Sequence, residues 1–597
     1  MNTELRLRVL AIGFLLLTGL FVVRLFYWQI IQGGELSAQA KSQYVKGESI
    51  SAKRGDILAS DGSWLAAGVD SWQLYASLPD LDRTPHEIAQ LLAADFVVAP
   101  EEKKVVNLPI EENQEGEAEK EEEMWDKDEA VQAEIVRIDN ALSQKNAVWV
   151  PIKSRIDREL KEKIEAYGIK GLGFQLEESR LYPENDIASQ VLGFVGKDDV
   201  GEDKGYSGLE GYYDLQLSGR EGYISRESDA LGIPLLSSES SQLSASHGVS
   251  LVTHIDKTVQ FTIEKELEDA IYKYGAQSGN IIIMDPSDGG ILGMASFPPY
   301  NPARYAEYGN DYFNNPSISS TFEPGSIMKP VIMAAGLDAG VITPESICDI
   351  CDGPFKVDKY FIRTWNDEYN PNSSMTDVIR HSDNVGMVYI GNKLGIDKMY
   401  DYLDRFGFTD KTGVDLQGEA NSQVREKNKW SIVDLATASF GQGLAVTPIQ
   451  MLQAIGAIAN DGIMMTPQIV DEYTKEGWKE DIKPLSKGRV ISEKAAQEMT
   501  DMMISAVKDG EAKWAVPKGF SIAGKTGTAQ VAVSGQYDEE KTNASFIGFA
   551  PADNPKFIML VTLKEPQSSP WASETAAPLW FKIALDLFPY FGIHPDD

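Results

Sequence analysis

The alternation of apolar and polar residues divides the chain into one long apolar segment at the N-terminus and a series of ordinary strands and helices behind it. Residues 9–23 are almost wholly apolar, and this character continues past a single charge, Arg24, to residue 31. A helix needs about 20 apolar residues to cross the hydrocarbon core of a bilayer. The pattern therefore predicts a transmembrane helix over residues 9–31, preceded by a tail of residues 1–8.

The residues that flank this segment predict its orientation. Arg6 and Arg8 precede it, and basic flanks stay in the cytoplasm, whereas Tyr27 and Trp28 suit the headgroup region at the far end. The tail is therefore predicted to be cytoplasmic and the rest of the chain to lie outside. A cleaved signal peptide is the alternative, because residues 38–40 read Ala-Gln-Ala, but this site lies far beyond the apolar run.

Residues 32–245 are predicted to form an N-terminal domain of short strands and helices. Residues 53–58 and 61–66 have the pattern of two short strands around a turn, and residues 156–167 have helical spacing. A dense acidic tract with few apolar residues predicts a solvated insertion over residues 101–130.

A serine-rich linker over residues 237–246 is predicted to lead into a second domain, residues 250–595. Strand patterns stand first and last in this domain, with helical patterns between them. The predicted strands are 251–256, 280–285, 290–295, 544–550 and 557–563, and the predicted helices include 259–274, 451–459 and 576–587. This order predicts a multi-domain α+β protein whose C-terminal domain is one mixed antiparallel sheet, flanked by helices and carrying an all-helical subdomain.

The net charge and the cysteine content limit the partners and metals that the protein is predicted to bind. The chain has 55 basic and 90 acidic residues, a net charge of −35, so nucleic acid is not a predicted partner. Its only cysteines, Cys348 and Cys351, can form a local disulfide, remain a free pair or supply half of a metal site. The five histidines are scattered and offer no second half, so no metal and no cofactor are predicted.

Three short motifs carry the candidate chemistry of the second domain. They are Ser326-Ile-Met-Lys329, Ser382-Asp-Asn384 and Lys525-Thr526-Gly527, the last followed by Thr528. A Glu-Pro-Gly turn precedes Ser326 and an apolar stretch follows Lys329, so Ser326 is predicted to open a helix with Lys329 one turn later. Second copies of the motifs at 505–508 and 411–413 lie within a helical pattern and a loop instead.

These residue types suit nucleophilic catalysis by a serine. A serine hydroxyl needs a neighbouring base, and Lys329 can serve as that base if burial and the charge of Lys525 keep it neutral. Ser382 can bridge the two lysines and pass a proton to a leaving amine, because a hydroxyl both donates and accepts. The predicted catalytic residues are therefore Ser326, Lys329 and Ser382.

The remaining motif residues suit substrate binding. The amide of Asn384 can hold a peptide backbone, while Lys525, Thr526 and Thr528 offer one positive charge and hydroxyl donors to a terminal carboxylate. Gly527 is predicted to belong to the same binding edge. The residues after Lys525 alternate like a strand, which places this edge on a sheet.

With these motifs the chain resembles the class B penicillin-binding proteins, which are monofunctional D,D-transpeptidases. S-x-x-K, S-x-N and K-T-G in this order are shared by penicillin-binding proteins and class A β-lactamases. Further matches lie outside the three motifs, at Arg54-Gly-Asp-Ile57, Arg180-Leu-Tyr-Pro183, Gly208-Leu-Glu210 and Phe440-Gly-Gln-Gly443. The resemblance covers nearly the whole chain outside the acidic insertion.

The resemblance implies an elongated pedestal domain, a transpeptidase domain and a site in the bacterial cytoplasmic membrane. It implies cross-linking of peptidoglycan stem peptides that end in D-Ala-D-Ala, inhibition by β-lactams, and the N–H groups of Ser326 and Thr528 as oxyanion donors. Because no glycosyltransferase motif precedes the pedestal, a separate glycosyltransferase is the expected partner. The pedestal motifs and the ending Phe591-Gly-Ile-His-Pro595 resemble the division type, whereas Asp383 departs from the serine that is frequent there.

Several alternatives share the same residues. The protein could be an elongation-type enzyme, a D,D-carboxypeptidase or β-lactamase, or a non-catalytic β-lactam sensor or scaffold. Residues 519–526 also match G-x-x-x-x-G-K-[ST], a phosphate-binding loop, which requires a helix directly after it. The strand pattern after Lys525 contradicts this nucleotide-binding interpretation.

Overall fold

The computed structural model describes residues 3–36, 45–99, 125–227, 241–533 and 536–595. The chain forms two compact units, Met1–Arg54 with Ser218–Gly248 and Gly55–Leu217 with Val249–Asp597. The predicted domain boundaries, 32–245 and 250–595, stay predictions.

The first unit contains the N-terminal helix and a three-stranded sheet. Helix α1 (Thr3–Phe26) continues into a π-helical turn, Tyr27–Ile31, and this apolar helix is long enough to cross a membrane. Strands β1 (Val45–Ile50), β8 (Gly222–Glu227) and β9 (Ser241–Leu243) pair antiparallel in that order. The predicted linker 237–246 is therefore wrong at 241–243, because backbone pairing needs no apolar side chains; residues 237–240 lie outside the described residues.

The second unit begins with a sheet that joins segments from distant parts of the chain. Its order is β17-β16-β10-β2-β3-β4, with β5 paired to β3. The strands are β2 (Ile57–Leu58), β3 (Trp64–Ser77), β4 (Trp149–Ile156), β5 (Leu172–Leu181), β10 (Ser250–Thr253), β16 (Val470–Lys475) and β17 (Trp478–Asp481). The two predicted strands correspond to β2, which covers only the last two residues of the predicted 53–58, and to the start of β3; β10 pairs parallel to β2.

Short helices and one hairpin accompany this sheet. They are α2 (Pro85–Phe96), α3 (Lys127–Leu142), α4 (Arg158–Ala166), α5 (Ser189–Leu192), α6 (Gly208–Tyr212), α7 (Asp214–Leu217), a 3₁₀ turn at Leu78–Asp80, and strands β6 (Phe194–Lys197) and β7 (Asp203–Tyr206). The helix predicted at 156–167 is confirmed as α4. The predicted acidic insertion 101–130 stays a prediction. At its end Asp126 caps α3 by accepting from the Asp128 N–H at 2.8 Å, and residues 100–124 lie outside the described residues.

A buried ion pair joins two of the family motifs. Arg180 Nε lies 2.6 Å from Glu210 Oε1, and both side chains are almost fully buried. Arg180 Nη1 also donates to the Gly55 carbonyl at 2.8 Å. Motifs that are far apart in sequence therefore form one buried polar contact, which explains why they require charged residues at positions that lie inside the protein.

The central sheet of the C-terminal part has five strands in the order β12-β11-β21-β20-β19. They are β11 (Ser278–Met284), β12 (Ile291–Phe297), β19 (Ala523–Val533), β20 (Gln536–Ala550) and β21 (Phe557–Lys564), and they confirm the predicted strands. All neighbouring strands are antiparallel, in agreement with the predicted mixed antiparallel sheet. Because the first and last strand segments lie side by side, the long helical insertion returns to the same sheet.

Both faces of this sheet are covered. Ile281 and Ile283 of β11 pack into one core, and Ile282 and Met284 pack into the other, as the two-residue period of a strand requires. Helices α8 (Lys257–Tyr274) and α16 (Ala576–Tyr590) cover the first face.

The helical subdomain packs into the other core. Its helices are α9 (Pro316–Ser319), α10 (Lys329–Asp338), α11 (Met375–Arg380), α12 (Asn384–Arg405), α13 (Ile432–Ala438), α14 (Pro448–Ala459) and α15 (Glu493–Asp509), with 3₁₀ turns at Pro302–Glu307, Asn310–Phe313, Gly325–Met328 and Lys427–Lys429. Two small two-stranded sheets complete it: β13 (Phe355–Val357) with β14 (Tyr360–Ile362), and β15 (Ile463–Met465) with β18 (Ser486–Arg489). Cys348 and Cys351 form a disulfide, and no metal-binding cluster occurs among the described residues.

Candidate active site

Ser326 lies at the start of a buried helix, as predicted. The 3₁₀ turn Gly325–Met328 leads directly into α10, and Pro330 occupies the first helical turn, where no intrahelical amide partner is lost. Residues 329–337 of α10 are all buried. A helix that is apolar on all sides must be covered by protein, and Lys329, one turn after Ser326, is consequently 0% exposed.

The S-x-N motif meets Lys329 at a tight turn. Ser382 has a φ of +55°, a rare conformation for a residue with a side chain, and α12 starts two residues later. Lys329 Nζ lies 2.6 Å from the Ser382 carbonyl, 3.2 Å from Ser382 Oγ and 2.8 Å from Asn384 Oδ1. Ser382 Oγ in turn lies 3.1 Å from Ser326 Oγ. One continuous polar chain therefore runs from Ser326 through Ser382 to Lys329.

The environment of Lys329 favours its neutral form. Burial first, and then the nearby charge of Lys525, lower the pKa of Lys329 from 10.5 to about 7. Burial also lowers the pKa of Lys525, while Glu511 acts in the opposite direction. The predicted effect of burial and a second cation on the base is present in the structure.

The K-T-G motif lies on β19, the edge strand of the central sheet. Lys525 is buried and its Nζ donates to the Thr526 carbonyl at 3.2 Å and to Thr526 Oγ1 at 3.0 Å. Thr526 Oγ1 donates its own proton to Glu511 Oε2 at 2.7 Å. Thr528 Oγ1 accepts from the Ala572 N–H at 3.1 Å, so its hydroxyl proton remains available to a ligand.

Gly527 allows this strand to approach the serine turn. A Cβ atom at Gly527 would lie 2.8 Å from Ile327 Cγ2 and 3.2 Å from the Ile327 N atom. Any side chain there would push β19 away from the turn that carries Ser326. The structure thus gives Gly527 a packing role, and its predicted contact with substrate stays a prediction.

These residues surround a cleft of about 420 Å³. Ser326, Ser382, Asn384, Thr526 and Thr528 line it together. Lys329, Lys525 and Gly527 lie behind this surface. In this structure Asn384 Nδ2 donates to the Arg363 carbonyl at 3.0 Å, so both ends of its amide are already bonded.

Sequence reasoning missed part of the cleft wall. Trp365, Trp514, Trp571 and Glu511 also line it, and the rings of Trp365 and Trp571 meet edge to face at 5.1 Å. These residues share no local pattern, and Glu511 simply follows the end of a helix. Their proximity to the motifs is created by the fold alone.

The alternative motif copies lie elsewhere. Ser505 is inside α15, and Lys411-Thr412-Gly413 is in a loop. Lys525 and Thr526 lie within a strand, and no helix follows them as a phosphate-binding loop would require. The nucleotide-binding alternative is therefore wrong.

Comparison with known families defines the class of protein. The family described as "Penicillin binding protein transpeptidase domain" matches residues 279–585, and the "Penicillin-binding Protein dimerisation domain" matches residues 49–253. The chain belongs to the penicillin-binding proteins. The combination of these two domains behind an apolar N-terminal helix makes it a class B member, as its motifs predicted.

Individual relatives match the chain over most of its length. The chain is 32% identical to Stage V sporulation protein D of Bacillus subtilis, over 100% of this chain and 87% of the relative. It is 29% identical to Peptidoglycan D,D-transpeptidase FtsI of Escherichia coli, over 75% of this chain and 73% of FtsI. The apolar helix and these relatives support a membrane-anchored protein.

Solved structures share the fold. Penicillin Binding Protein 2X from Streptococcus thermophilus matches with a TM-score of 0.70 and 24% identity, over 92% of this chain and 81% of the other. Penicillin binding protein 3 from Mycobacterium tuberculosis, complexed with aztreonam, matches with a TM-score of 0.67 and 23% identity, over 92% of this chain and 98% of the other.

Proposed function

We propose that this chain is a serine-type peptidoglycan D,D-transpeptidase that works through an acyl-enzyme on Ser326. The observation that supports this most directly is the polar chain from Ser326 Oγ through Ser382 Oγ to Lys329 Nζ at the floor of the cleft. Family membership and the name of the FtsI relative agree with this activity.

The geometry supports a defined path for the serine proton. A neutral amine has two N–H donors and one lone pair. The Ser382 carbonyl and Asn384 Oδ1 can only accept, so they take the two N–H bonds of Lys329. The lone pair then faces the Ser382 hydroxyl, which can donate to it while accepting from Ser326. We therefore assign Ser382 as the relay between Ser326 and its base.

The proposed reaction has two acyl transfers. Ser326 Oγ attacks the D-Ala-D-Ala carbonyl, its proton passes through Ser382 to Lys329, and the C–N bond breaks with protonation of the departing D-Ala amine. An amine from a neighbouring stem peptide then forms a new C–N bond, the C–Oγ bond breaks, and the proton that this amine loses passes through Lys329 and Ser382 to Ser326 Oγ. The N–H groups of Ser326 and Thr528 are assigned to the oxyanion. β-Lactams would follow the first step and stall at the second.

The substrate carboxylate is assigned to the β19 edge. Thr528 retains a free hydroxyl proton and Lys525 supplies a positive charge beside it, which together suit an anionic group. Thr526, Gly527 and Asn384 are assigned to the same substrate-binding surface, with Thr526 held by its bond to Glu511.

The cellular setting follows from the N-terminal segment and the relatives. We assign residues 1–8 to the cytoplasm, 9–31 to the membrane, and a pedestal (32–245) and transpeptidase domain (250–595) to the outside. A separate glycosyltransferase would supply the glycan strands. The FtsI relative supports a septal role, whereas the full-length match to Stage V sporulation protein D favours a role in sporulation as the second candidate. Localising a fluorescent fusion to the septum of growing or of sporulating cells separates the two.

Labelling with a penicillin tests the catalytic assignment. Mass spectrometry of the full-length protein after exposure to penicillin should find the adduct on the peptide that contains Ser326. S326A should lose the adduct, and S505A, the matched change in the second S-x-x-K copy, should retain it. An adduct at any other serine contradicts the proposal.

Product analysis distinguishes the transpeptidase from its alternatives. With a D-Ala-D-Ala donor and an added amine, a transpeptidase releases D-Ala and forms the amide product. Formation of only the hydrolysis product would indicate a carboxypeptidase, and a stable acyl-enzyme without turnover of either kind would indicate a sensor.

A further inference from the structure

Glu511 reaches the K-T-G strand from the end of helix α15. This helix packs against β19, and Glu511 follows it directly after Gly510. A Cβ atom at Gly510 would lie 2.1 Å from the Ala506 carbonyl oxygen, so only glycine lets the chain leave the helix this tightly. Glu511 is partly buried, and it lines both the active-site cleft and a small void beside Lys525.

A single hydroxyl connects Glu511 to Lys525. Lys525 Nζ donates to Thr526 Oγ1 at 3.0 Å, and Thr526 Oγ1 donates to Glu511 Oε2 at 2.7 Å. A threonine hydroxyl has one proton, so Thr526 acts as an acceptor toward Lys525 and has no proton left for a ligand. Thr528 differs, because its hydroxyl accepts from the Ala572 N–H and keeps its proton. Thr528 is therefore the hydroxyl donor of this edge.

Lys525 can bind a carboxylate only in its charged form. Its Nζ donates to the Thr526 carbonyl at 3.2 Å as well as to Thr526 Oγ1. An ammonium group has three N–H donors, so one is left for a ligand. A neutral amine has two, and both would be used by Thr526. The neutral form would then turn a lone pair, rather than a donor, toward the carboxylate.

The charged groups around Lys525 decide which form it takes. Burial lowers the pKa of Lys525, and the carboxylate of Glu511 raises it. Two basic groups also lie near Lys525. Arg380 lines the same void and pairs with Asp377 at 3.0 Å, and Lys329 has a pKa of about 7. Neither can stabilise a further positive charge, so the charge of Glu511 is the one that favours the ammonium form.

We infer that Glu511 is a positioning residue for the substrate carboxylate, which it serves by holding Thr526 and balancing the charge of Lys525. Lys525 and Thr528 then supply the two donors to the carboxylate. This inference rests on the proposed acyl transfer. Glu511 acts through the Thr526 hydroxyl and needs no contact with the ligand. A ligand without the negative charge gains nothing from Glu511, and this difference defines the test.

Two forms of one ligand isolate the carboxylate. Benzylpenicillin carries it and benzylpenicillin methyl ester does not, while both acylate through the same β-lactam carbonyl. The measured quantity is the ratio of their second-order rate constants, acid over ester, for acylation of the full-length protein between pH 6 and 10. Because the protonation of Lys329 affects both ligands alike, it cancels in this ratio. A fall in the ratio with rising pH therefore reports the loss of the proton from Lys525.

The isosteric variant E511Q removes the charge and keeps an acceptor for the Thr526 hydroxyl. The pH at which the ratio falls by half should be about one pH unit lower than in the wild type, because the charge that raises the pKa of Lys525 has gone. Between the two midpoints the ratio in E511Q should be up to about tenfold below that of the wild type. E511D keeps the charge at a greater distance, so its midpoint should lie between the other two.

The matched control is E498Q, which removes a carboxylate from helix α15 outside the cleft, where Glu498 pairs with Lys494 at 3.5 Å. It should leave the midpoint unchanged. Thermal unfolding checks that each variant is folded, and E511D against the wild type supplies the comparison if E511Q is not.

Three results would overturn the inference. One is an E511Q curve that coincides with the wild type. Another is a higher ratio in E511Q at every pH, which would mean that Glu511 only repels the carboxylate. The third is a midpoint in E511D no higher than in E511Q, since the charge would then have no effect. Failure of both ligands to acylate Ser326 in the wild-type protein would instead refute the proposed function.

Discussion

The rate at which Ser326 is acylated should follow the titration of Lys329. Burial and then Lys525 lower the pKa of Lys329 to about 7 from 10.5. At pH 7 a lysine with this pKa is about half neutral, whereas an ordinary lysine is neutral in about one molecule in 3,000. The difference corresponds to roughly 5 kcal/mol of destabilisation of the ammonium form. The site therefore makes its base available at neutral pH.

Whether the acylation rate rises or falls with pH follows from the protonation state that Lys329 needs as the base. Only the neutral amine accepts the proton, so the rate should rise with pH and level off above the pKa. Stopped-flow measurement of the second-order rate constant for acylation by a penicillin should give a midpoint near pH 7 and an increase of about tenfold between pH 6 and 8. In K525M the rate constant reached at high pH should fall, because the carboxylate of the penicillin loses its positively charged partner. The midpoint should move to higher pH, because loss of a nearby positive charge raises the pKa of Lys329.

The pH at the midpoint of the rate profile decides whether Lys329 is the group that accepts the proton. A rate that is flat from pH 5.5 to 9, or a midpoint above about pH 9, would mean that Lys329 is not the group that accepts the proton. A midpoint that stays unchanged in K525M would show that burial alone lowers the pKa of Lys329.

Three further variants test the assignments. Ser382→Ala should slow acylation by penicillin about 100-fold or more, because the proton relay is interrupted; a change below threefold would contradict the relay. Gly527→Ala should destabilise the protein by about 1–3 kcal/mol in thermal unfolding and slow acylation, whereas Gly309→Ala, where a Cβ meets no atom within 4 Å, should do neither. Arg180→Ala should lower the free energy of unfolding by about 3 kcal/mol, because Glu210 loses its buried partner; loss of under 1 kcal/mol would show that this pair contributes little.

Most of the fold could be predicted because periodicity is a local property. The two-residue period of β11 and β21 and the helical period of α8 depend only on which side of each element is buried. The same holds for α1, whose continuous apolar run needs no tertiary context. The prediction of a linker failed where backbone pairing overrode composition, as in β9.

Residue types and their order along the chain were enough to predict a nucleophile, a base and the class of reaction, because a serine and a lysine one helical turn apart are set by local geometry. Tertiary structure alone decided the burial that lowers the pKa of Lys329, the position of Ser382 beside Ser326 and the hydrogen bond of the Thr526 hydroxyl to Glu511. It alone also brought Glu511 to the cleft. The physical reason is that pKa values and hydrogen-bond directions depend on burial and on atoms from distant segments, and neither is encoded in a local pattern.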